Sequence, residues 1–218
     1  MDIKKIYTIQ GNIGSGKSNL LNRLSDNQLI TRKEPIELWS SLLNKTNIQR
    51  GADYGLHLQT RICTSLALRE NAEWLEKKGK SIFIERDLDS AKRIFIPVAK
   101  DYNILDQEGI KTLSLLYQTL SRLEELKHKE WERNYQTNIR KEIIYLRSNP
   151  LECYRRIKLR GQAGDQEITL KYIESLHAKH EEWLIDHNEN IIILEESLTT
   201  QDKIDYIMKL QTERNYSR

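Results

Sequence analysis

Residues 11–18 read Gly11-Asn12-Ile13-Gly14-Ser15-Gly16-Lys17-Ser18, the pattern G-x-x-x-x-G-K-[ST]. Before it, Lys4-Lys5-Ile6-Tyr7-Thr8-Ile9-Gln10 is a short β-branched and aromatic run. After it, Leu20, Leu21 and Leu24 recur at helical spacing. A strand, a glycine-rich turn and a helix in that order form the setting in which backbone N–H groups wrap phosphates. The helix N-terminus adds its partial positive charge. Lys17 then reaches the β- and γ-phosphates, and Ser18 offers a hydroxyl to Mg²⁺. The stretch predicts a nucleoside triphosphate cradled by all eight residues.

Working outward, four further apolar runs have the length of buried strands. Leu29–Arg32 leads into Glu34-Pro35, and Ser81–Ile84 leads into Glu85-Arg86. Glu142–Arg147 ends at Asn149-Pro150, and Ile191–Leu194 precedes Glu195-Glu196. Helical patterns fill residues 57–78, 107–133, 150–160, 166–186 and 200–212. Strands alternating with helices predict an α/β fold, a five-stranded parallel sheet covered on both faces, in a single domain over 1–218. Functional groups in such sheets collect at the carboxyl ends of strands. There the first strand carries the phosphate loop, the second Glu34, and the third Glu85-Arg86.

Composition narrows the class. The 218 residues carry 35 Lys and Arg against 32 Asp and Glu, a net charge of +3 with both signs interspersed. That pattern suits a solvated surface and argues against nucleic acid as a partner. Cys63 and Cys153 are too few for a disulfide framework or a zinc site, which points to a reducing compartment. No apolar run reaches membrane-spanning length, and Met1 leads almost directly into the first strand. A cytoplasmic protein without signal or transit peptide is therefore expected. The Lys, Ile and Asn bias suggests an AT-rich genome, as in some viruses.

The chain resembles the deoxynucleoside kinase family over about residues 5–197. The resemblance rests on an ordered series: Gly11–Ser18; Glu34-Pro35 with Trp39; Gln59; Glu85-Arg86; Tyr145-Leu146-Arg147 with Pro150; Arg156-Ile157 and Arg160; Leu170-Lys171-Tyr172; Leu176-His177; and His180-Glu181-Glu182-Trp183-Leu184. It implies a P-loop kinase with a short Arg-containing lid at about 156–167. The activity implied is ATP-dependent phosphoryl transfer to a deoxyribonucleoside 5′-hydroxyl, a nucleotide-salvage reaction, by a homodimer built through helices.

Such transfer needs positioning and cations more than covalent chemistry. On the resemblance, Glu34 takes the proton of the 5′-OH and Arg86 holds Glu34 ionised. Glu85 and Ser18 stand near Mg²⁺, and Lys17 completes the catalytic set. Arg156 and Arg160, four residues apart, face one way from a helix end and serve as lid cations over the phosphates. Gln59 reads the base, because a side-chain amide donates and accepts together. Ile62 and Leu66 lie on its helical face, where the deoxycytidine-specific enzyme keeps a small residue and an arginine; Ala91 matches an aspartate there. This apolar lining leans to thymidine among the pyrimidines. Trp39 flanks the nucleoside, Tyr54 is a candidate sugar contact, and Asp165 a candidate for the 3′-OH.

The chain also departs from the family. Gln162 stands where a second lid arginine is usual, Gly164-Asp165 replaces a pair of glutamates, and Asp87 replaces the serine after Glu-Arg. Two other readings stay open at this point. One is a nucleoside monophosphate kinase, against which the acceptor-side carboxylate Glu34 argues by repelling a phosphate. The other is a noncatalytic nucleotide-binding subunit of the same fold. His177, His180 and Trp183 are expected to pack rather than bind metal. The stripe Leu113, Leu116, Tyr117, Leu120 and Leu123 is expected to be core or a dimer face, and Lys127–Glu142 a solvated helix end.

Overall fold

The computed structural model describes residues 2–43, 51–77, 81–162, 164–186 and 191–212. β1 (Asp2–Gln10) passes through the glycine-rich turn into α1 (Lys17–Asp26). Then come β2 (Ile30–Arg32), a 3₁₀ turn (Ile36–Leu38), the short α2 (Ser40–Leu43) and α3 (Gly51–Leu68). A second 3₁₀ turn (Ala72–Glu76) precedes β3 (Ile82–Glu85). α4 (Leu88–Ser90), a π-helical turn (Ala91–Phe95) and α5 (Ile96–Asp101) follow without a break. The rest is α6 (Gln107–Tyr135), β4 (Thr137–Arg147), α7 (Pro150–Arg160), a 3₁₀ turn (Asp165–Glu167), α8 (Leu170–Leu184), β5 (Ile191–Glu195) and α9 (Thr200–Thr212).

The five strands lie in the order β2-β3-β1-β4-β5, all pairs parallel, as the alternation predicts. Side chains of β1 alternate between two cores. Tyr7 and Ile9 pack with Leu20, Leu21 and Leu24 of α1 and Ile204 and Ile207 of α9. Ile6 packs on the opposite face with Ile82, Ile84 and Trp74. Both faces are thus apolar, which is why these strands read as continuous hydrophobic runs.

The structure corrects three boundaries. The charged stretch Lys127–Glu142 is not one helix end: α6 stops at Tyr135, Gln136 takes a left-handed φ of 49°, and β4 begins at Thr137. Among the described residues, Thr137–Glu142 pairs with Asp2–Tyr7 alone, and β5 joins β4 first at Ile143. A strand edge tolerates charge, so the charged residues hide its period. The helix expected over 57–78 is α3 from Gly51 to Leu68 and then a separate 3₁₀ turn; Lys78 lies outside the described residues. The segment Leu88–Asp101 is helical where no helix was expected. Asp87 starts it through a capping box with Ser90.

His180 and Trp183 pack in the core, whereas His177 is partly buried with its Nε2 3.9 Å from Glu181. His180 is fully buried, its ring stacked on Tyr145 at 5.9 Å, with Nδ1 donating to the Leu176 carbonyl at 2.7 Å. Burial pushes its pKa down to about 3, so it stays neutral. In the α6 stripe, Leu113 and Leu120 are core whereas Leu123 is exposed together with Leu115 and Leu126. Among the described residues no helix is long and apolar enough to cross a membrane.

Candidate active site

The phosphate loop is built by backbone geometry. Gly14 has a φ of 81°, and a Cβ there would meet the Cys153 carbonyl at 2.5 Å; Gly11 has a φ of 148° and a Cβ would meet the Leu146 carbonyl at 2.9 Å. Only glycine satisfies both constraints. α1 starts at Lys17 with Gly16 as a left-handed cap and no side-chain bond on its first N–H groups. Those donors face the loop and are available to an anion. Asn12 stitches the loop to α8 by donating to the Ile173 carbonyl at 2.8 Å. Lys17 is buried and its ammonium donates to the carbonyls of Gly11 at 3.0 Å and Asn12 at 2.7 Å. Burial, and then Arg86, push its pKa down to about 8, while Glu85 and Glu34 pull the other way.

Three strand ends meet beside this loop. Ser18 donates to Glu85 at 2.8 Å. Arg86 Nη1 donates to both oxygens of Glu34, at 2.9 and 2.8 Å, and its Nη2 to the Gly11 carbonyl at 3.3 Å. Both partners of the pair are buried. The Arg86 amide continues the sheet by donating to Ile9 at 3.0 Å, but its φ is 54°, a left-handed turn that aims the side chain back over the loop. The guanidinium lies 4.6 Å from the centre of the Phe95 ring.

A cleft of about 830 Å³ joins these groups to an apolar chamber. Its floor is Gly14, Gly16, Lys17 and Ser18, with Glu34, Glu85 and Arg86 at the junction. Trp39, Leu58, Gln59, Ile62, Leu66, Ala91, Phe95, Ile104 and Tyr172 line the chamber. α3 thus places Gln59, Ile62 and Leu66 on one wall, as the helical spacing predicts. Gln59 is buried and its Oε1 has no partner among the described residues. Trp39 is buried and fixed to α3 by its Nε1 donating to Ser65 at 2.8 Å. Tyr54 is not among the lining residues; it packs beside Trp39, Leu42 and Leu58.

The opposite rim carries the segment expected to form a lid. Arg156 pairs with Glu152 and Glu196, each at 3.0 Å. Arg160 makes a two-point contact with Asp165, at 2.9 and 2.7 Å. Asp165 also accepts from the Gln162 amide at 2.9 Å, so its carboxylate organises the turn after α7. Arg156, Arg160, Gln162 and Asp165 all line the cleft; Ala163, within the expected lid, lies outside the described residues.

Hard oxygen donors for a divalent cation are Ser18 and Glu85, adjacent to the loop. Among the described residues no group of three or more His, Cys, Asp and Glu could hold a metal. Two protein oxygens suit Mg²⁺, which keeps waters and phosphate oxygens as its remaining ligands.

Sequence reasoning missed several residues. Phe95 and Tyr172 line the chamber; the capping box at Asp87 and Ser90 could have announced the helical segment carrying Phe95. Asp87 is buried among acids. Burial and then Asp89 push its pKa up to about 6, and Gln10 donates to it at 3.0 Å. Arg69, with no local signal at all, donates to the carbonyls of both Glu85 and Arg86.

The family model "Deoxynucleoside kinase" matches residues 7–214. The chain is 29% identical over 192 residues to a probable deoxycytidine kinase of Fowlpox virus, covering 87% of this chain and 76% of that one. It is 30% identical over 193 residues to the mitochondrial thymidine kinase 2 of Homo sapiens, covering 84% of this chain and 65% of that protein's length. It is also 30% identical over 211 residues to the deoxycytidine kinase of Homo sapiens, covering 84% and 76%. The chain therefore belongs to the deoxynucleoside kinase family and is a nucleoside kinase.

Proposed function

We propose that this protein transfers the γ-phosphoryl group of ATP to the 5′-hydroxyl of a deoxyribonucleoside, pyrimidines first and thymidine foremost. The observation carrying this reading is the single cleft that joins the phosphate loop, the Glu34–Arg86 pair and the unpartnered Gln59 amide oxygen. Glu34 accepts the 5′-OH proton as the sugar oxygen bonds to the γ-phosphorus, and the bond to the bridging oxygen of ADP breaks. Because the transition state is loose, Glu34 orients the hydroxyl as much as it activates it. Arg86 keeps Glu34 aligned. Lys17 and the α1 N-terminus hold the donor phosphates, and Arg156 and Arg160 turn from their carboxylates onto the transferring group. Mg²⁺, held near Ser18 and Glu85, would neutralise charge on the phosphates.

The apolar wall of Ile62, Leu66 and Ala91 accepts a thymine methyl and offers no partner to a cytosine amino group. An unpaired buried polar group carries a penalty, so this wall discriminates. The exposed leucines 115, 123 and 126 of α6 give a homodimer its helical face. Radiolabelled ATP with each of the four deoxynucleosides and with thymidine monophosphate tests the reading. Thymidine should show the highest kcat/KM; transfer to the monophosphate alone would replace it with the monophosphate-kinase reading.

A further inference from the structure

Arg69, the first residue beyond α3, is not among the described residues that line the cleft. Its Nη1 donates to the Glu85 carbonyl and, at 3.5 Å, to the Lys33 carbonyl; its Nη2 donates to the Arg86 carbonyl. Lys33 immediately precedes Glu34. One planar cation therefore bonds to the two chain segments that present Glu34, Glu85 and Arg86.

These carbonyls need such a partner. Beyond the end of β3 the ladder no longer supplies donors, and the left-handed Arg86 turns its carbonyl out of the sheet. A non-glycine residue keeps that conformation only where its surroundings over-determine it. Three contacts do so: the amide of Arg86 on Ile9, its guanidinium on Glu34 and Gly11, and its carbonyl on Arg69. The last, together with the Asp87 amide donating to Ser90 Oγ at 3.1 Å, fixes the direction of the peptide after Arg86. Lysine cannot replace Arg69, because a single ammonium lacks the fork that spans two carbonyls.

We propose that Arg69 is a positioning residue for phosphoryl transfer, locking the backbone of Glu85 and Arg86 against the Glu34 segment so that base and cation stay in register. The proposal rests on the reading of Glu34 and Arg86 given above. It also makes α3 bifunctional: Gln59 faces the nucleoside, and ten residues on, about 15 Å along the axis, Arg69 braces the catalytic strand ends.

The test compares Arg69→Met and Arg69→Lys by hydrogen exchange, ATP affinity and single-turnover rate. In Arg69→Met, exchange should rise about tenfold at residues 33, 34 and 85–88 and stay unchanged in β1, β4 and β5. The rate should fall about 100-fold, the order expected for a 1 Å misplacement, with ATP affinity within about twofold of wild type. Arg69→Lys, which keeps the charge, should remain at least about tenfold slow. Exchange rising evenly through the sheet would overturn the proposal, since that marks general destabilisation. If Arg69→Met fails to fold, a wild-type rate in Arg69→Lys overturns it equally. Wild-type protein that phosphorylates no nucleoside would refute the catalytic reading instead, while a local exchange response would still establish the bracing.

Discussion

The floor and the lid of the cleft use the same device, an arginine on a carboxylate, in two different dielectric settings. At the floor, Arg86 and Glu34 have side chains 8% and 6% exposed. At the lid, Arg156 and Glu196 are 40% and 32% exposed, and Arg160 is 40% exposed against a nearly buried Asp165. Separating a buried pair strands a charge, at about 3–5 kcal/mol. Opening a half-exposed pair costs about 0–1 kcal/mol. The Arg86–Glu34 pair is thus preorganised and the Arg156–Glu196 pair exchangeable: on the proposed function, phosphates take Arg156 from its carboxylate, but nothing readily takes Arg86 from Glu34.

The largest effect that would break this comparison lies at the floor. Glu34→Gln keeps the shape of the pair and should lower kcat by about 10²- to 10⁴-fold, the usual range for losing a positioned base. Titration calorimetry should find ATP binding nearly intact; turnover within tenfold of wild type would remove Glu34 from the chemistry. Next comes the lid. Arg156→Ala should reduce kcat by about 10- to 100-fold while its thermal midpoint moves little, because both members of the pair it loses with Glu196 are partly exposed. A midpoint drop as large as that of Glu34→Ala would erase the distinction between floor and lid.

The smallest effect sharpens the floor's electrostatics. Burial holds Lys17 down to about 8, so in the free protein it loses its proton as pH rises through that value. Bound phosphates favour the charged form and raise its pKa again. ATP binding should therefore take up a proton above about pH 8 and almost none near pH 7, with affinity declining as pH climbs. Calorimetry at pH 9 in two buffers of different ionisation enthalpy measures this, and equal heats would show a lysine already charged.

What was legible in the sequence is local. Gly11–Ser18 constrain their own backbone, and Glu34 and Glu85-Arg86 announce themselves by terminating apolar runs. Gln59, Ile62 and Leu66 needed only a helical period to share a wall. Phe95 and Arg69 were hidden for a different reason. Phe95 faces the chamber because a capping box and a π turn orient its segment, and Arg69 matters only where two strand ends converge on the end of α3. Neither residue has a sequence neighbour that states its partner. The first half of β4 was concealed too, since Arg140, Lys141 and Glu142 look like a solvated helix when their pairing to β1 is unknown.

That stretch has a consequence of its own. Among the described residues, Asp2–Lys5 and Thr137–Lys141 have no strand neighbour but each other, and the Ile139 amide on their outer edge donates to Glu132 at 2.8 Å. Strand edges are where a second molecule can add strand upon strand toward aggregates. Lys4 is capped by the Lys77 carbonyl at 2.6 Å, Lys5 is paired with Glu142, and Lys141 lies 3.3 Å from Glu124 of α6. The charges that disguised this strand in the sequence are the same ones that make it a poor template for another chain.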